Sequence, residues 1–113
     1  MGSETAFKIS EVKRDAQRVS LKISGDLTVE TSPQLQQQLK KCFDQKFERI
    51  HLMLDDVNRM DSSGIATLVD GLRWSRSSGN HFVLSGLSEV VQDLFVIAKL
   101  ESEFEVLKES ASQ

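Results

Sequence analysis

The chain has 113 residues, a length typical of a single domain that can bury its own core. Its 14 Lys and Arg residues against 17 Asp and Glu residues give a formal net charge of −3, and the basic residues are scattered, which argues against nucleic acid as the main partner. Because no signal segment and no stretch of membrane-span length is visible, and because Cys42 is the only cysteine, we expect no membrane association and no internal disulfide in a reducing cytoplasm.

The first half of the chain predicts a β-hairpin followed by a helix. Residues 7–12 and 19–24 have the pattern of two strands, since apolar and polar side chains alternate in the second. A loop is expected over residues 25–30, and the triplet Thr-Ser-Pro at 31–33 predicts a helix start with a hydroxyl cap and proline in the first helical position. The expected apolar face of this helix consists of Leu35, Leu39, Cys42, Phe43 and Phe47.

The second half predicts alternating strands and helices. Residues 50–54 form an apolar run typical of an interior strand covered on both faces, and residues 55–60 are expected to connect it to a second helix. That helix has its apolar period from Ile65 onward and should end with Gly79 as a left-handed cap. Residues 81–84 predict another interior strand, and residues 104–107 a short strand or turn. Between them, Ser88 should cap a third helix with an apolar face of Val90 or Val91, Leu94, Ile97 and Ala98.

This order of elements predicts an α/β fold. We expect one domain over residues 5–108, with flexible termini at 1–4 and 109–113. Its mixed sheet should have four to five strands, mostly parallel after an N-terminal antiparallel hairpin, with three or four helices packed on it. Partners of such sheets meet the carboxyl ends of the strands, and residues 25–28 and 61–64 would both lie there.

The motif Asp-Ser-Ser-Gly at residues 61–64 is the best functional candidate. A hydroxyl at a strand-to-helix junction lies near unpaired amides and the positive end of the helix dipole, where a phosphate is stabilised. The alternative is a plain helix cap, although two hydroxyls and a carboxylate exceed what capping requires. These properties indicate a phosphorylation switch, and they leave the choice between Ser62 and Ser63 open.

Catalytic and metal sites find little support in the sequence. The only histidines, His51 and His81, fall within predicted interior strands, and the Gly-x-Ser-x-Gly elbow is absent, which argues against a hydrolase. No glycine-rich phosphate loop is present, so the chain is expected to be a kinase substrate rather than a kinase. A cation site at Asp55, Asp56 and Asp61 is disfavoured because the ligand spacing of an EF-hand is missing.

Three segments resemble STAS domains, in particular the stand-alone bacterial anti-sigma factor antagonists. Residues 54–65 are similar to the family's signature, residues 23–27 to its Gly-Glu-Leu-Asp turn, and residues 91–95 to its third-helix motif. The order of elements agrees from residue 7 to residue 107. Three positions depart from the pattern: Asp26 replaces the glutamate of the turn, Thr28 replaces its closing acidic residue, and Arg59 stands where the family often has an aromatic or aliphatic residue.

The resemblance implies a partner-switching regulator without cofactor or catalytic activity, a monomer when free. The unphosphorylated form would bind an anti-sigma factor that is also a serine kinase of the histidine-kinase-like ATPase type, and this binding would free the sigma factor. The kinase would phosphorylate Ser62, a metal-dependent serine phosphatase would reverse the reaction, and Ser63 would help to cap the helix. The partner-binding residues implied in this way are Asp26, Leu27, Thr28, Asn58, Arg59, Met60, Asp61, Ser62, Ser63, Gly64 and Ile65.

Two other functions remain open from the sequence. One is a STAS scaffold subunit of a stress-sensing, secretion-regulating or lipid-transport complex, in which the same surface would dock permanently. The other is a module that binds a small molecule or nucleotide. The intact serine motif at residues 61–64 disfavours the scaffold, because scaffold versions of the domain often vary it.

Overall fold

The computed structural model describes residues 7–107, so the termini predicted to be flexible lie outside the described residues. These residues form one five-stranded sheet in which the strands lie side by side in chain order. The first pair is antiparallel and all later pairs are parallel, which confirms the predicted α/β fold class. The elements are β1 (Lys8–Arg14), β2 (Arg18–Leu27), α1 (Ser32–Asp44), β3 (Arg49–Met60), α2 (Ser62–Ser78), β4 (His81–Ser85), α3 (Glu89–Ala98) and β5 (Glu105–Leu107).

The core lies between one face of the sheet and the helices. On β2, Leu21 and Ile23 are fully buried, as the alternating pattern predicts. A Cβ on Gly71 of α2 would lie 2.8 Å from the Phe82 ring of β4 and 3.4 Å from Leu39 of α1, so α1, α2 and the sheet meet closely there. None of the helices in residues 7–107 combines the length and the apolarity needed to cross a bilayer.

The opposite face of the sheet is more polar than expected for β3. The sequence predicts that β3 is covered on both faces. Leu52 on the core face is buried, but His51 on the opposite face is only half-buried. The His51 ring lies between two hydroxyls, with Nδ1 3.2 Å from Ser20 Oγ on β2 and Nε2 2.6 Å from Ser85 Oγ on β4. His51 therefore links three adjacent strands, in keeping with the structural role expected for it.

β2 and β3 both extend past their predicted ends. The expected loop at 25–30 begins only after Leu27, and the expected connection at 55–60 is strand up to Met60. The extensions pair in parallel, ending with Leu27 opposite Met60, after register shifts at residues 22–24 and 25–26. Pairing with a neighbouring strand satisfies the backbone groups of these polar segments, and side-chain periodicity gives no signal for it.

The first helix starts and ends slightly differently from the prediction. Thr31 is the N-cap residue, but its side chain makes no capping hydrogen bond, and Pro33 follows Ser32 as the second helical residue. The helix ends at Asp44, so Phe47 lies beyond it, although Phe47 is buried in the core as expected.

The predicted apolar face of α3 is confirmed only in part, because Val91 is buried and Leu94 is half-buried against the core, but the other predicted residues are not. Val91 and Phe95 are its buried residues, whereas Ile97 is 76% exposed and Ala98 is exposed as well. The Phe95 ring stacks on Phe104 with centroids 5.3 Å apart, which fixes the orientation of the helix. Because apolar residues occur on every side of this helix, periodicity alone did not select the buried face.

Candidate functional site

The two predicted loops meet at the carboxyl ends of β2 and β3. The Asp61 amide donates to the Leu27 carbonyl at 3.3 Å, so the segment before α2 is bonded to the end of the neighbouring strand. The Val29 amide in turn donates to Asp61 Oδ2 at 3.0 Å. The expectation that residues 25–28 and 61–64 lie at one edge of the sheet is therefore confirmed.

Asp61 caps α2. Its backbone is extended, and Oδ1 accepts hydrogen bonds from the amides of Ser63 at 2.8 Å and Gly64 at 3.2 Å. This carboxylate satisfies two of the amides that the first turn of a helix leaves unpaired and places a negative charge at the positive end of the helix dipole. The prediction that Ser63 helps to cap the helix is wrong, and the same two amides are not free to stabilise a phosphate.

The two serines differ in exposure. Ser62 is the first residue of α2 and is exposed, whereas Ser63 is half-buried. The Ser62 side chain forms no hydrogen bond with the other residues of 7–107, because Asp61 supplies the cap of α2. The Ser62 hydroxyl is therefore accessible to an enzyme that approaches the carboxyl edge of the sheet.

Gly64 allows the first turn of α2 to sit directly on the strand ends. A Cβ at this position would lie 2.7 Å from Met60 Cγ and 2.8 Å from the Leu27 carbonyl oxygen. Both distances are shorter than real Cβ contacts, so no larger residue fits without movement of the helix or the strands. The glycine of the motif thus fixes the height at which Ser62 stands above the sheet.

Hydrogen bonds also hold the loop between β2 and α1. The Thr31 hydroxyl donates to the Asp26 carbonyl at 2.7 Å and accepts from the Thr28 amide at 2.9 Å. The Thr28 carbonyl accepts from the Ser32 amide at 2.7 Å, which closes the turn. Thr31 therefore braces the loop instead of capping its own helix through the side chain.

The predicted partner-binding residues divide by depth. Asn58, Arg59 and Ser62 are exposed, and Leu27, Met60 and Gly64 are buried beneath them as the floor of the surface. The remaining five are half-buried: Asp26, Thr28, Asp61, Ser63 and Ile65. The structure brings all eleven together at the same edge of the sheet, with three of them placed to support the surface from below.

The charges around the site are partly compensated. Arg59 Nε lies 3.9 Å from Asp26 Oδ2, and the Arg59 side chain is 76% exposed, so this ion pair is weak. Lys22 Nζ lies 3.3 Å from Asp56 Oδ2, and this contact raises the pKa of the lysine. Lys22 therefore compensates part of the negative charge of β3, and the Asp61 carboxylate next to Ser62 is bonded to three backbone amides. Within residues 7–107 no three His, Cys, Asp or Glu side chains gather as a metal site would require.

Sequence reasoning missed Val29. Its side chain is 65% exposed at the carboxyl edge of the sheet, and its amide bonds to Asp61. An apolar residue within a polar loop was the available signal. The bond to Asp61 joins positions 32 apart in the chain, and no sequence pattern announces it.

Comparison with known proteins gives the family. A family model described as "STAS domain" matches residues 9–112. The chain belongs to the STAS domain family. The anti-sigma-B factor antagonist of Bacillus subtilis (strain 168) is 27% identical over 100 residues, which cover 88% of this chain and 91% of that protein.

Solved structures show the same fold as this STAS domain. The anti-sigma factor antagonist SpoIIAA in its unphosphorylated form superposes with a TM-score of 0.75 at 20% identity, covering 94% of this chain and 90% of the other. The Bacillus cell fate determinant SpoIIAA in its phosphorylated form gives a TM-score of 0.71 at 19% identity, with 94% and 93% covered.

Proposed function

We propose that this STAS domain is an anti-sigma factor antagonist that works by partner switching, with Ser62 as the phosphorylated residue. The observation that carries the proposal is the position of Ser62: exposed on the first turn of α2, at the carboxyl edge of the sheet, with its hydroxyl unused by the helix cap. The name of the Bacillus subtilis relative, an anti-sigma-B factor antagonist, supports the same class of partner.

The unphosphorylated form presents a surface with few uncompensated charges. Asp61 is half-buried and already bonded to three backbone amides, so a partner can cover it without leaving a bare carboxylate. We infer that the partner is an anti-sigma factor that also acts as a serine kinase of the histidine-kinase-like ATPase type. Binding it releases the sigma factor in the cytoplasm, and the antagonist itself needs no cofactor.

Phosphorylation of Ser62 changes this surface electrostatically. A phosphoryl group adds about −1.5 to −2 charges and a hydrated volume. Because Asp61 occupies the amides of Ser63 and Gly64, these two amides cannot also bind the phosphate, which meets a neighbouring negative charge. A hundredfold loss of affinity requires only about 2.7 kcal/mol, which desolvation and repulsion readily supply. A serine phosphatase then restores the binding form.

Phosphosite mapping tests this proposal. The protein is incubated with ATP and each histidine-kinase-like ATPase of its source organism, and the modified residue is identified by mass spectrometry. We expect one kinase to modify Ser62, to modify Ser63→Ala equally well, and to leave Ser62→Ala unmodified. Modification of Ser63 alone, or of neither serine by any of these kinases, would contradict the proposal.

A further inference from the structure

Val29 is set apart from the other exposed apolar side chains by its position. Within residues 7–107, the exposed large apolar residues are Val12, Val29, Val96, Ile97 and Val106. Val12 and Val106 lie on edge strands, and Val96 and Ile97 lie near the end of α3. Val29 is 65% exposed and lies in the loop between β2 and α1. Its amide bonds to Asp61, the residue before Ser62.

The backbone of Val29 is held in place from two sides. Its amide donates to Asp61 Oδ2 at 3.0 Å, while Oδ1 of the same carboxylate caps α2. The preceding residue, Thr28, is bonded through its amide to the Thr31 hydroxyl at 2.9 Å. An apolar side chain on a backbone that is already held needs little further ordering of the loop when a partner covers it, and such ordering before binding favours affinity.

We propose that Val29 is an apolar anchor for the anti-sigma factor kinase and that Asp61 is the positioning residue that holds it beside Ser62. The partner must then offer an apolar pocket adjacent to the place where it receives the Ser62 hydroxyl. A phosphate on Ser62 lies at the edge of this pocket. One modification therefore weakens both the contact at Val29 and the contact at the Ser62 hydroxyl. The inference rests on the proposed function and extends it to a residue outside the family signature.

The first test compares two exposed valines. Val29→Ser and the control Val12→Ser, which starts from 54% exposure on β1, are assayed against the kinase that modifies Ser62. Loss of a buried valine contact predicts about tenfold weaker binding for Val29→Ser. The KM for its phosphorylation should rise by a similar factor, with kcat within about twofold of the unaltered protein. Val12→Ser should match the unaltered protein in all three quantities.

The second test separates the two bonds of Asp61. In Asp61→Asn the remaining carbonyl oxygen can still cap α2, but the amide nitrogen that replaces the other oxygen cannot accept the Val29 N–H. We expect the helix to be retained, the hydrogen exchange of the Val29 amide to rise at least about tenfold, and binding to weaken. If Asp61 only capped α2, the hydrogen-exchange rate of the Val29 amide would be the same in Asp61→Asn as in the unaltered protein.

The outcomes distinguish this inference from the proposed function. If Ser62 is phosphorylated but Val29→Ser binds and reacts within about twofold of the unaltered protein, the anchor is refuted while the switch stands. If Asp61→Asn frees the Val29 amide without weakening binding, the positioning role is refuted. If no kinase binds or modifies the unaltered protein, the proposed function fails and this inference fails with it.

Discussion

Replacing Gly64 with alanine tests how closely α2 sits on the strand ends. The new methyl group would lie 2.7 Å from Met60 Cγ, 2.8 Å from the Leu27 carbonyl oxygen and 3.0 Å from Leu27 Cγ. Met60 and Leu27 are buried, and the carbonyl oxygen belongs to the backbone, so neither strand can yield easily. Overpacking of this kind costs about 3 kcal/mol at its upper range, and alanine returns about 1 kcal/mol of helix propensity.

We therefore expect Gly64→Ala to lower the free energy of unfolding by about 2 kcal/mol and the Tm by about 8 °C. Urea titration and a thermal scan measure both quantities. The helix start must also move outward, so the kinase that we propose to act on Ser62 should phosphorylate it more slowly. A Tm within about 2 °C of the unaltered protein would refute the close packing of α2 on Leu27.

Gly79→Ala is the matched control for this experiment. Gly79 has φ +77°, and no neighbouring atom lies within 4 Å of the place that a methyl group would take, so only backbone strain of about 1 kcal/mol is expected. Because Gly79 caps the other end of α2, the rate of Ser62 phosphorylation should not change. A slower rate in this variant would mean that lost stability, rather than a displaced serine, explains the effect at Gly64.

Three further changes have defined outcomes. Asp61→Ala removes the cap of α2 and should lower the free energy of unfolding by about 1 to 2 kcal/mol in urea titration. Asp61→Ser should recover part of this loss. If both variants were as stable as the unaltered protein, Asp61 would not be the cap. Burial raises the pKa of the Cys42 thiol, so the folded state keeps a proton that the unfolded state releases. The free energy of unfolding should therefore fall as the pH rises above about 8.5, and this slope should be smaller in Cys42→Ala; identical slopes would contradict the burial effect. Arg59→Ala removes a weak, exposed ion pair and should change stability by less than about 0.5 kcal/mol, so a larger loss in the same titration would mean that the pair with Asp26 is stronger than its geometry indicates.

The order of elements could be predicted because each element carries its own local signal. The alternation at residues 19–24 and the glycine after α2 mark an element or its end without reference to the rest of the chain. Parallel connections then place the ends of β2 and β3 side by side, which is sufficient to bring residues 25–28 and 61–64 together on sequence grounds alone.

The remaining features depend on contacts between distant segments. The outer half of β3 is polar and becomes strand because β2 pairs with it. The buried face of α3 includes Phe95, whose ring stacks on Phe104 after the helix. Asp61 caps α2 because the extended backbone there brings its carboxylate close to the first amides of the helix. The second oxygen of this carboxylate accepts from the Val29 amide, 32 positions away in the sequence. Local propensity contains none of this information.

The affinity of the proposed anti-sigma factor kinase for this protein, with and without a phosphate on Ser62, tests the central claim most directly. Isothermal titration with unmodified protein, with protein phosphorylated on Ser62 and with Ser62→Ala measures the effect of the phosphate on binding. We predict that the phosphorylated form binds at least about a hundredfold more weakly, a difference of about 2.7 kcal/mol, and that Ser62→Ala binds as tightly as unmodified protein. Equal affinities of the phosphorylated and unmodified forms would contradict the switch and favour a permanent scaffold role for this STAS domain.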